Sequence, residues 1–421
     1  MTARWLMLGC LLALAASDPG RAASYGYPFV DPYAATAIGT PSIDQARLPE
    51  QVPLAEHQLT VFKDRKIPEI FWYTRGLRFG FLAQAHKAPL AFVIGGTGAD
   101  YDSSKTMILI RMFQKIGFHV ISLPSPMHEN FIVNASTTSV PGLITGDAAD
   151  LYRAMRLAYA QVKDRIEVSA FDLVGYSLGG AQAAFVAKLD DERHAFDFQR
   201  VLLINPPVNL ARSAAILDHL LEDNTPQGIG TFINQLVDTF VAASVEAQAP
   251  RFTQDFLYNI YKRRKPGDES LAAAIGLVFR VVSANMIFTS DVMTGSGYIT
   301  PRRPPLTITD SLTPYAEVAL RTSYDNYINH LFLPFFEKRR PGLTRAELVY
   351  QTSLRSIGSY LHNAKKIGLM HNQDDITLGE GDLDYLKKVF GDRAKIYPKG
   401  GHVGNLDYRD NVADMIEFFT K

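Results

Sequence analysis

Ser177 sits in Gly175-Tyr176-Ser177-Leu178-Gly179, a G-x-S-x-G pentapeptide followed at once by Gly180. The apolar run Phe171 to Val174 precedes it, and an Ala-rich helical pattern begins at Leu178. Where a strand turns directly into a helix, this spacing has a steric meaning. The residues two before and two after the serine must lack side chains because the chain folds back on itself there. The turn holds the hydroxyl at the end of the strand and at the positive end of the helix, where it can attack a carbonyl carbon.

A serine hydroxyl needs a base, and the base needs an orienting acid. Of ten histidines, His402 stands in YPKGGHVGN, flanked by glycines after the last expected strand. His128, in SPMHEN, also follows a strand and is the rival base. The acid should fall between serine and base, at the end of a strand. HNQDDITL offers Asp374 first and Asp375 as the alternative, with His402 28 residues beyond Asp374. His371 beside the two aspartates could be read as the start of a metal site, but no further ligand cluster lies near it in sequence, so no metal is expected. GGTGADY lacks the third glycine of a dinucleotide fingerprint, and Lys105 lies too far from its glycines for a phosphate loop. No cofactor is expected.

These residues need a scaffold, and the pattern around them supplies one. FGFLAQ (79–84), APLAFVIGG (88–96), FHVISLP (118–124), AFDLVGYS (170–177) and RVLLINPPV (200–208) are short apolar runs. SKTMILIRMFQKIG (104–117) and GDAADLYRAMRLAYAQVKDR (146–165) carry apolar residues at helical period between them. The alternation predicts α/β architecture: a mostly parallel sheet flanked by helices. It stops over 209–364, where helical signals dominate and TFINQLVDTFVAASVEA is the clearest. KKIGLMHNQDD (365–375), DLDYLKKVF (382–390), RAKIYPKGGH (393–402) and NVADMIEFFT (411–420) then restore it. The expected organisation is a core over 57–208 and 365–421 interrupted by a helical insertion. Residues 25–56, rich in Tyr, Pro and Ala, predict an extended arm over the core, since the prolines forbid a continuous helix or a central strand.

With the elbow, the acid and the base in chain order, the sequence resembles the α/β-hydrolase superfamily over the two core segments. The helical insertion falls where that family places its cap. The resemblance implies a Ser177–His402–Asp374 triad that forms an acyl-enzyme. The family's G-x-x-D-x-[IVF]-[VT] pattern fits MHNQDDIT best with Asp374, though His371 replaces the glycine and Asp375 stays open. It also implies an oxyanion hole built from the backbone N–H of Leu178 and, by position in the loop after AFVIGG, that of Thr97.

Composition narrows the remaining readings. The chain has 421 residues, 47% of them hydrophobic, and its 43 Lys and Arg balance 43 Asp and Glu. Without a basic patch, nucleic acid is not an expected partner. MTARWLMLGCLLALAASDPGRAAS has one early positive charge, a 13-residue uncharged run from Trp5 to Ser17 and then small residues. This predicts a signal peptide over 1–24 and export to the periplasm or medium, since a spanning helix needs roughly 20 residues. Cys10 is the one cysteine, so its removal leaves no thiol for chemistry or disulfides.

The apolar stretches VVSANMIF and INHLFLPFF, together with the face around Phe232, Ile233, Leu236 and Phe240, suggest an acyl-binding cap. The first reading is therefore an exported esterase for a small-molecule or lipid ester, with peripheral membrane contact through the cap. A peptidase, amidase or acyltransferase on the same fold, or a non-catalytic envelope binding protein, are the alternatives.

Overall fold

The computed structural model describes residues 25–247 and 253–421. The expected signal peptide, residues 1–24, lies outside them. Eight strands form one sheet: β1 (Ala55–Leu59), β2 (Leu77–Leu82), β3 (Ala88–Ile94), β4 (His119–Leu123), β5 (Val168–Tyr176), β6 (Arg200–Ile204), β7 (Ile367–Asn372) and β8 (Ala394–Tyr397). Their order is β1-β2-β4-β3-β5-β6-β7-β8. β2 runs antiparallel to β1 and β4, whereas β4, β3, β5, β6, β7 and β8 run parallel. This mostly parallel sheet flanked by helices is the α/β architecture expected from the alternating pattern.

The strands read as continuous apolar runs because both sheet faces are covered. On β3, Leu90, Phe92 and Ile94 point into one core while Ala91 and Val93 point into the other. The first core contains α4 (Ile144–Val162) and α5 (Leu178–Arg193), and the second contains α2 (Ser104–Lys115) and α16 (Arg409–Thr420). α3 (Glu129–Asn134) follows β4, and α15 (Asp382–Phe390) joins β7 to β8.

The arm departs from its expected extended form. It contains a short helix, α1 (Pro32–Ile38). Pro32 stands in the first turn, where its missing N–H has no helical partner to lose, and Asp31 accepts from the N–H groups of Tyr33 and Ala34 at 2.9 and 3.3 Å. A proline that bars a continuous helix here starts a short one. The arm also reaches the sheet, since β1 begins at Ala55.

Between β6 and β7 the described residues are helical. α6 (Leu210–Glu222), α7 (Ile229–Ala247), α8 (Gln254–Arg264) and α9 (Asp268–Thr294) come first. α10 (Thr313–Leu320) and α11 (Tyr324–Tyr327) follow, and α11 continues through a wide π turn, 328–332, into α12 (Leu333–Glu337). α13 (Arg345–Gln351) and α14 (Gly358–Asn363) lead back to the sheet. α9 is long and apolar enough to cross a membrane by composition, yet half of its most apolar stretch is buried within this fold. It is also the main partner of α6, a packing the functional site depends on.

Candidate active site

The strand end of β5 explains the three glycines. Ser177 has φ 54° and ψ −129°, a conformation that L-residues adopt only where the surroundings enforce it, at a cost of about 1–3 kcal/mol. A Cβ on Gly175 would lie 2.1 Å from the Gly179 carbonyl oxygen. One on Gly179 would lie 2.4 Å from the carbonyl oxygens of both Ile94 and Gly95. The glycines therefore let the elbow close on itself and let β3's following loop press against it.

The half-buried Ser177 hydroxyl lies 2.8 Å from Nε2 of His402. The other ring nitrogen, Nδ1, lies 3.0 Å from each carboxylate oxygen of Asp375. With a carboxylate facing Nδ1, that nitrogen carries the proton and Nε2 presents its lone pair to the serine.

The structure thus brings Ser177 and His402 together but not Asp374, the first-choice acid. Asp374 accepts hydrogen bonds from the backbone N–H groups of Gly400 and Gly401 at 3.1 and 2.9 Å. It shapes the loop that carries His402, while its neighbour Asp375 faces the imidazole. The reason is local. Adjacent residues beyond a strand end point in different directions, and only one carboxylate can meet the ring. The rival base His128 is occupied elsewhere: its Nδ1 accepts from Asn130 N–H at the start of α3, and its Nε2 lies 3.8 Å from Asp100.

Asp375 is fully buried at the side chain and is satisfied on every side. Asn205 Nδ2 donates to it at 2.7 Å, Thr377 N–H at 2.9 Å and the Thr377 hydroxyl at 2.8 Å. Burial alone would raise its carboxyl, but the His402 charge and hydrogen bond, with help from His371 and the Thr377 N–H, hold it well below the usual carboxylate range. Asp374 moves the opposite way, raised chiefly by burial. Asp375 is therefore the carboxylate that faces the ring.

Several positioning groups carried no sequence signal. Thr377 Oγ1 also lies 3.2 Å from His402 Nδ1, bridging ring and carboxylate. Asn205, at φ 46° just past β6, reaches Asp375 across the strand ends. Thr36 of α1 accepts from the His402 N–H at 2.8 Å, and a Cβ on Gly401 would lie 2.4 Å from the Pro32 carbonyl oxygen. The arm thus buttresses the histidine loop, a role that composition cannot reveal because it depends on a contact spanning almost the whole chain.

Thr97 and Leu178, the two expected oxyanion donors, both border a cavity of about 30 Å³ beside Ser177 and His402. A Cβ on Gly96 would stand 3.1 Å from Ser177 Cβ, so this loop's backbone approaches the nucleophile closely. The apolar side of the cavity comes from Leu210, Ala214 and Leu217 of α6, Phe279 of α9, and Pro207. The faces expected to form acyl walls are elsewhere. Phe232 and Leu236 pack with Leu221 and Ala273, and Leu331, Phe332 and Phe336 belong to the main core. Those runs were apolar because they pack helix on helix. Among the described residues, no group of three or more His, Cys, Asp or Glu is placed to hold a metal ion.

No protein-family model matches the sequence, and no curated protein does. Some solved structures show a distant similarity. An esterase of Pyrococcus furiosus superposes with TM-score 0.42 at 9% identity, covering 91% of this chain and 96% of that one. The thioesterase domain from the curacin biosynthetic pathway gives 0.38 at 13% identity, covering 87% and 99%. Est1E from Butyrivibrio proteoclasticus gives 0.36 at 11% identity, covering 82% and 97%. At such distances the likeness is one of fold alone.

Proposed function

We propose that this protein is an exported serine hydrolase that cleaves carboxylic esters through an acyl-enzyme. The observation that carries the reading is the continuous chain Ser177 Oγ, His402 Nε2, His402 Nδ1, Asp375, with contacts of 2.8 and 3.0 Å. In the first step Ser177 Oγ attacks the ester carbonyl carbon and its proton passes to His402 Nε2. The backbone N–H groups of Leu178 and Thr97 receive the negative charge on the carbonyl oxygen. Asp375 stabilises the imidazolium without taking the proton. The C–O bond breaks, His402 returns the proton to the leaving alkoxide, and an alcohol departs. Water then attacks the acyl carbon, His402 taking its proton and returning it to Ser177, and a carboxylic acid leaves.

Export rests on the three-part pattern of residues 1–24, and N-terminal sequencing of the native protein tests it. A mature chain starting between about residues 18 and 25 is expected; one beginning at Met1 contradicts export. Hydrolysis is tested with p-nitrophenyl acetate. Ser177→Ala should lower kcat/KM by about three orders of magnitude or more with thermal unfolding preserved. Turnover within a few-fold of the unmodified protein would contradict the assignment.

A further inference from the structure

The cavity beside Ser177 is small for an acyl pocket, and the structure shows why it stays small. Its volume is about 30 Å³, well below that of an ordinary small-molecule pocket. Leu217 of α6 and Phe279 of α9 form part of its apolar wall. The residue after each of them belongs to a buried ion pair. Arg280, 1% exposed, donates from Nε and Nη2 to Asp218 Oδ1 at 2.9 and 2.7 Å, and from Nη2 to Glu222 at 2.7 Å. Asp218 Oδ2 in turn accepts from the Tyr324 N–H at 2.6 Å.

Two close contacts seat α9, one against the α6 backbone and one against the loop after β3. A Cβ on Gly276 of α9 would lie 2.5 Å from the Leu221 nitrogen and 2.8 Å from the Leu217 carbonyl oxygen. Further along α9, Val282 presses on the loop after β3, where a Cβ on Gly98 would meet its Cγ1 at 2.2 Å. α9 is therefore seated against both α6 and the loop that holds Thr97. Widening the cavity by moving α6 away from α9 would leave Arg280 or Asp218 as an uncompensated buried charge.

We infer that Leu217 and Phe279 restrict the substrate to esters of short acyl chains, acetyl to propionyl in size, and that the Arg280–Asp218–Glu222 cluster fixes that limit. The inference rests on the serine-hydrolase reading above and narrows its substrate class. It replaces the lipid-like acyl group suggested by the apolar runs, because Phe232, Leu236, Leu331, Phe332 and Phe336 pack helix on helix and do not line the cavity beside Ser177. A longer chain can run deeper past Leu217 and Phe279 only if the α6–α9 crossing opens, whereas a methyl or ethyl group suits the small cavity beside Ser177.

The test measures kcat/KM for p-nitrophenyl acetate and octanoate on the full-length mature protein and reads their ratio. Discrimination in a pocket runs at about tenfold or more per unaccommodated methylene, so octanoate should fall at least about 100-fold below acetate. Phe279→Ala and Leu217→Ala should each raise the octanoate-to-acetate ratio by about tenfold or more. Arg280→Lys, which keeps the charge but loses the fork, should raise it too. If that variant does not fold, Glu222→Gln takes its place, since Glu222 is half exposed. Val278→Ala, on the outward side of α9 and 67% exposed, should leave the ratio unchanged.

A ratio near one in the unmodified protein, or one unmoved by both Phe279→Ala and Leu217→Ala, overturns the inference. A ratio unmoved in the ion-pair variant overturns the part given to Arg280. Fluorophosphonate labelling run alongside separates the two levels. Esters cleaved and Ser177 labelled without chain-length selection sinks only the inference, whereas no cleavage and no label sinks the hydrolase reading itself.

Discussion

At the scale of single residues, two adjacent aspartates divide the work of one motif. Asp375 orients the imidazole, and Asp374 ties down the Gly400–Gly401 turn that presents it. Asp375→Asn should lower kcat by about three to four orders of magnitude, because an amide facing Nδ1 can stabilise the wrong tautomer and cannot balance an imidazolium. Asp374→Asn keeps an acceptor for one of the glycine N–H groups and should cost no more than about tenfold. Steady-state kinetics on the two variants checks the ranking, and equal losses would contradict it. Sequence spacing picked out Ser177 and His402, which the structure places 2.8 Å apart, because the glycines around each are required by a tightly folded turn. It could not rank the aspartates, since the choice depends on which way each side chain leaves the strand end. Thr377, Asn205 and Thr36 were invisible for a similar reason, as ordinary polar residues made useful by contacts distant in sequence.

At the scale of elements, the β5–α5 elbow is the part most constrained by its own chemistry. Gly179→Ala would push a methyl into two backbone oxygens, Ile94 and Gly95, neither of which can swing away. A loss on the order of 3 kcal/mol or more is expected, read by denaturant unfolding. A change under about 0.5 kcal/mol would contradict the close packing inferred there. The arm provides a gentler test. Thr36→Val removes the acceptor of the His402 N–H and should lower kcat by about three- to tenfold with a loss of about 1–3 kcal/mol in stability. An unchanged kcat would mean the loop needs no support from α1. The sheet strands and their connecting helices were legible from periodicity because the parallel sheet needs apolar strands and one-sided helices. α1 was missed because a proline argues against a helix interior but favours a helix start. The long helical stretch was legible as helix, yet which faces line the site was not, since core and pocket call for the same side chains.

At the scale of the whole molecule, one buried carboxyl links folding to pH. Asp147, 4% exposed in α4, accepts from the Gly142 N–H at 2.9 Å, and burial pushes its carboxyl up to about 8. The unfolded chain releases this proton near the ordinary aspartate value, whereas the folded chain keeps it until about pH 8, so folding is penalised progressively as pH rises from about 4 to 8. Asp147→Asn keeps the acceptor and removes the charge. It should stabilise by about 2 kcal/mol or more at pH 8 and by little at pH 4. Thermal unfolding across that range reads the difference, and a pH-independent gap would contradict the assignment. The central claim concerns the surface this scaffold presents at Ser177, and covalent labelling tests it without knowledge of the natural ester. The mature protein, treated with a fluorophosphonate and digested for peptide mass mapping, should carry a single adduct on Ser177 that is absent from Ser177→Ala. No adduct, or one that survives Ser177→Ala, would contradict the account.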